Sequence, residues 1–234
     1  MPGKIQRIPL SLKLAYTAFC TVHVALNWQA YGPLNFLWFC DIAVLTLLAA
    51  LWTERSLLAS IAGVAILLPM GLWIIDLAGR IGLGHYIFGF AGYMFDRQVS
   101  VQIRVTSSFH LWLPVILLWT LNRLGYDRRA LGIQSVFAAV LLIGCYFISS
   151  PPPSHGLHET VNINWVYGPG DDGAQTFVPP GVYLGVMILL YPGLIYLPTH
   201  LTLCALFGGR SRRSVGLSVS GVVAKAGTGA AAAG

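Results

Sequence analysis

Three imidazoles and a carboxylate stand inside apolar runs of this 234-residue chain: His23, Asp41, His110 and His200. A carboxylate in hydrocarbon costs at least ~2.5–3.5 kcal/mol on insertion scales, so Asp41 is expected to face a protein interior or a wet cavity and to have a partner. It closes the stretch Leu34-Asn35-Phe36-Leu37-Trp38-Phe39-Cys40-Asp41, which opens an apolar run reaching Trp52. His23 lies ten residues beyond Lys13, Asp41 twelve before Thr53, His110 thirteen before Arg123 and His200 ten before Arg210. At a helical rise of ~1.5 Å per residue, all four fall in one layer roughly 15–20 Å from the same face. Neutral imidazole and carboxylate oxygen suit Zn, Mn or non-haem Fe, so the four form a candidate metal set. Two of the histidines equally suit the axial positions of a haem, and the set also suits a proton relay. Asp41, His110 and His23 are the acid–base candidates.

Other polar residues sort around this layer. Asn27 is one turn above His23 on the same helical face, placed to orient its ring. Asn35 and Trp38 precede Asp41. Asp76 reads as a solvated helix end at an outer mouth, and Arg104 either extends to the interface or pairs with Asp76 or Asp96. His155, His158 and Glu159 read as a solvated loop surface.

Such residues need helices to hold them. The chain is 56% apolar and 9% charged, far below the roughly 25% charge of a soluble domain. That composition implies an all-α integral membrane protein. Apolar runs give six expected spans at about 8–28, 34–52, 56–78, 105–121, 131–148 and 181–207, each near the ~20 residues that cross a bilayer. Together they predict a single six-helix domain, 1–213, with a disordered tail over 214–234. Lys13 is expected to extend its ammonium to the interface. Pro69 predicts a kink, and Pro192 with Pro198 a broken last span.

With the N-terminus inside, Lys4, Arg7, Arg55, Arg123, Arg128, Arg129, Arg210, Arg212, Arg213 and Lys225 fall on the cytoplasmic side, against Arg80, Arg97 and Arg104 outside. Both termini are therefore expected in the cytoplasm and the long loop between the last two spans outside. Topology thus accounts for the basic excess without nucleic acid. Cys20, Cys40, Cys145 and Cys204 all lie in apolar segments and read as small hydrophobes.

No phosphate-binding glycine loop, nucleophile elbow or HExxH stands in the chain. Gly32 through Asp41, Leu124-Gly125-Tyr126-Asp127-Arg128-Arg129-Ala130, Asn164-Trp165-Val166-Tyr167-Gly168 and Pro198-Thr199-His200 resemble a family of bacterial polytopic proteins known only as membrane-associated. The resemblance implies a bacterial inner-membrane protein and assigns no catalytic residue. The expected function is an intramembrane enzyme using a metal or acid–base chemistry on an amphiphilic or lipid substrate, in the bilayer and in an oligomer or alone. The alternatives are a proton- or ion-coupled transporter or channel, and an accessory subunit.

Overall fold

Glycine and proline set the helix boundaries. A computed structural model describes residues 8–153, 161–170 and 173–207. Helix α1 (Leu10–Tyr31) ends at Gly32, whose φ of 75° lies in the left-handed region a side chain disfavours. Pro33–Leu37 then forms a 3-10 turn, so α2 (Phe39–Thr53) begins later than the hydropathy predicts. The remaining helices are α3 (Ser56–Leu83), α4 (Val101–Ser107), α5 (Phe109–Leu124), α6 (Ala130–Ile148) and α7 (Pro180–Leu190). Beyond α7 the helix continues through a π-helical turn at Tyr191–Tyr196 to Phe207. Pro192 has no N–H to donate, and a widened turn absorbs that loss. Pro69, by contrast, lies inside the continuous α3.

The described residues are all-helical, with one isolated bridge between Ser150 and Val161. Four helices are long and apolar enough to cross a membrane: Ser56–Leu83, Val101–Leu124, Ala130–Ile148 and Pro180–Phe207. The outward faces fit that reading. Helix α6 buries Ala130, Gln134, Ala138, Leu142 and Cys145 at helical spacing while exposing Val136, Val140 and Phe147. A helix apolar on both faces has no reason to be stable in water.

Helix α3 is the hub, packing against α2, α5, α6 and the π turn. Its small residues Ala59, Ala62, Gly63 and Ala65 are buried and allow this close approach. A Cβ on Gly63 would stand 3.2 Å from Leu121 Cδ1 and 3.3 Å from Leu203 Cδ1.

The two ends of the bundle are tied differently. At one end Lys13 is buried, not extended to an interface, because its Nζ meets Glu54 Oε1 at 2.8 Å and lies over the Trp52 ring. The Tyr126 turn is fixed there by Asp127 N donating to Ser60 Oγ, 2.9 Å. Asp127 is held below the usual carboxylate range by its hydrogen bonds from Arg129.

At the other end two loops close over the start of α2. Asp76 is fully buried and accepts backbone N–H bonds from Ile87, Phe88, Gly89 and Ala91 at 2.7–3.1 Å. It is therefore no solvated helix end: four peptide donors replace water around its carboxylate. Asn164 Oδ1 accepts from Phe39 N at 3.0 Å while its Nδ2 donates to Leu37 O at 2.9 Å. The loops meet where Phe90 stacks on Trp165, ring centroids 5.0 Å apart. His155, His158, Glu159 and the tail 214–234 lie outside the described residues.

Candidate functional site

Asp41 sits in the first turn of α2 because Pro33–Leu37 is a separate turn. There the unpaired N–H groups and the positive end of the helix favour a carboxylate. Asn164 fixes that helix start from the opposite loop. From α1, His23 Nε2 reaches Asp41 Oδ1 at 2.6 Å, with both side chains buried.

Asn27, one turn along α1, decides the tautomer. Its Nδ2 donates to the His23 carbonyl at 2.9 Å and faces His23 Nδ1 at 3.2 Å. A reversed amide would set its oxygen against that carbonyl, so Nδ1 accepts and Nε2 carries the proton. In that tautomer Nε2 donates to Asp41 Oδ1. Among the described residues Asp41 Oδ2 has only the Cys40 thiol, at 3.7 Å, a weak donor. Because Nδ1 is already covered by a donor, the open position for an incoming proton is Asp41 Oδ2.

His110 follows the α4–α5 junction. Its Nδ1 lies 2.8 Å from the Ser107 carbonyl. A carbonyl only accepts, so Nδ1 carries the proton and Nε2 presents a lone pair. Trp73 stacks on its ring at 4.8 Å. The buried Trp73 N–H is directed at Tyr93, which the Ser107 side chain also approaches. Tyr93 lies within electrostatic reach of Cys40 and Asp41, as His110 does of Asp41 and His23.

The imidazoles of His23 and His110 do not meet. The buried Phe109 ring stands edge-on to His23 at 5.2 Å and stacks on His110 at 4.1 Å. His200 lies elsewhere, with Nδ1 2.7 Å from the Tyr126 hydroxyl and Nε2 3.5 Å from Cys204 Sγ. Among the described residues no group of three or more His, Cys, Asp or Glu is placed to hold a metal ion. The shared depth of the four residues thus does not bring them to one centre: an aromatic ring parts two of them, and the fourth belongs to the Tyr126 end.

Of the supporting residues, only Asn27 touches the pair. Asn35 lies in the 3-10 turn, its carbonyl accepting from Trp38 N at 3.2 Å. Arg104 makes no ion pair with Asp76 or Asp96 among the described residues, and its buried Nε has no partner. Sequence reasoning missed Trp73, Tyr93 and Asn164. The Asn164-Trp165 pair inside a polar loop is the one signal that could have flagged Asn164.

No family model matches this chain, and neither the curated proteins nor the solved structures contain a match to it.

Proposed function

We propose that the chain is an intramembrane enzyme of the bacterial inner membrane in which Asp41 acts as general base on an amphiphilic substrate, oriented by His23 and Asn27. Four helices of membrane-crossing length support a membrane protein, and the grouping of Arg55, Arg123, Arg128 and Arg129 against Arg80, Arg97 and Arg104 along the sequence supports six spans with both termini cytoplasmic. The observation that carries this reading is the asymmetry of Asp41: one oxygen is held by the His23 imidazole, while among the described residues the other faces only a thiol. In a low-dielectric site such an oxygen is completed by a substrate proton. His110 Nε2 supplies an acceptor in the same region. A divalent metal or haem remains an alternative occupant, with Asp41 and His110 offering free positions rather than a complete ligand set.

Lipid extracts of a bacterial host expressing wild type or Asp41→Asn test this. A lipid species altered by wild type and not by the variant supports it, and matching profiles from wild type, variant and empty host overturn it. Metal analysis and an absorption spectrum of the purified protein test the metal and haem readings. Proton- or ion-coupled transport is the second reading, favoured by the polar side chains that run from Asp41 towards Tyr93 and Ser107. Flux into proteoliposomes separates it from the enzyme, which should show none.

A further inference from the structure

The Tyr126 end carries a second set of chemical groups, unrelated to Asp41. His200 and Cys204 are four residues apart on the last helix, on one face, with Nε2 to Sγ at 3.5 Å. Tyr126, from the α5–α6 turn, meets the other imidazole nitrogen at 2.7 Å. The turn is not free to drift, since Asp127 N is bonded to Ser60 of α3 and Tyr126 itself is 2% exposed. A thiol, a base within reach of it and a third group orienting the base are the parts of an activated nucleophile. Moving the thiol proton to Nε2 requires no side-chain rotation: the resulting imidazolium donates from Nε2 to sulfur and from Nδ1 to the Tyr126 oxygen. Burial raises the Tyr126 phenol well above its ordinary value, so it stays a neutral hydroxyl able to accept.

The neighbouring group separates this cysteine from the others. Cys20 and Cys145 are buried; of the two partly exposed thiols, Cys40 faces the Asp41 carboxylate and Cys204 faces an imidazole. Gln134, in the second turn of α6, donates to the Tyr196 hydroxyl at 3.2 Å, and His200 lies a further turn towards the chain end. The thiol is therefore at a bundle end, beside the exposed Leu197 and Leu201. An acyl chain could lie along that apolar face. Arg128, within electrostatic reach of His200, suits the anionic part of a donor.

We propose that Cys204 is a nucleophilic thiol that takes an acyl group from a long-chain acyl thioester, with His200 as its base and Tyr126 positioning His200. The Cys204 proton passes to His200 Nε2, sulfur attacks the thioester carbonyl, and a new sulfur–carbon bond forms. The bond from carbonyl carbon to the donor sulfur breaks, and the proton returns to the departing thiolate. Nothing is oxidised or reduced.

The test uses the purified full chain in detergent with an alkyne-tagged palmitoyl thioester of coenzyme A, followed by mass spectrometry of hydroxylamine-sensitive label. Label is expected on Cys204 and lost in Cys204→Ser. His200→Gln is expected to slow labelling at least tenfold at pH 7, and Tyr126→Phe a few-fold with the fold retained. The wild-type rate should reach half-maximum at a lower pH than the His200→Gln rate. Should His200→Gln fail to fold, the Tyr126→Phe rate and its pH profile beside wild type decide. Absence of label, label on Cys40 alone, or one and the same pH profile for wild type and the folded His200 or Tyr126 variant would overturn the proposal.

Discussion

Asp76 and Asp41 are both buried carboxylates near the loop-covered end of the bundle, and they are solvated by protein in opposite ways. Asp76 accepts four backbone N–H bonds and has little capacity left. Asp41 has one imidazole on one oxygen and a distant thiol on the other. A carboxylate surrounded by peptide donors organises a loop, whereas one with an open oxygen in an apolar interior can still bind or take a proton. Burial alone does not separate the two roles; the number and kind of donors does.

The largest expected effect comes from Asp76→Ala, which would leave four N–H groups of the loop without their acceptor. At ~1–3 kcal/mol for each unsatisfied buried group, several kcal/mol of stability should be lost, with the loop around residues 87–91 opening to hydrogen exchange. A melting temperature within a few degrees of wild type would break the contrast with Asp41.

His23→Ala comes next, because it strands the Asp41 charge. A loss of about 3 kcal/mol is expected, and adding Asp41→Asn should restore much of it, since the uncompensated charge is then gone. Additive losses in a denaturation cycle would show that the two residues are not a pair.

Asn164→Ala should cost about 2 kcal/mol by freeing Phe39 N and Leu37 O at the start of α2. Any Asp41-dependent activity should fall with it while Asp41 itself is untouched. Unchanged activity would show that the helix start does not position the carboxylate.

The smallest effect is at the opposite end. Asp127 has a depressed folded value, so its bond to Arg129 contributes stability above the unfolded carboxylate value of ~3.9 and loses it as pH falls through the folded one. Arg129 is exposed, so the change should be slight. Melting curves of wild type and Asp127→Asn should differ above about pH 4 and converge below it.

Much of the helical architecture was legible because apolar runs of membrane-crossing length leave few alternatives, and Asn27 was legible because a spacing of four fixes a helical face. The failures share a cause. Asp76, Asn164 and the start of α2 depend on backbone donors and acceptors, which every residue has and no sequence pattern marks. His200 was placed by counting inward from Arg210, but distance along one helix says nothing about which neighbour its side chain meets. Lys13 read as an interfacial cation because its partner, Glu54, stands beyond the end of another helix. Rotation about a helix axis likewise hid Phe109, the ring that keeps His23 and His110 apart.

The contrast between the two carboxylates can be read directly with dicyclohexylcarbodiimide, an apolar reagent that modifies a protonatable carboxyl group it can reach. In protein reconstituted into liposomes, peptide mass spectrometry should find the adduct on Asp41, absent in Asp41→Asn, and none on Asp76. Equal modification of both residues, or modification of Asp76 with Asp41 untouched, would contradict the assignment of Asp41 as the open, reactive carboxylate.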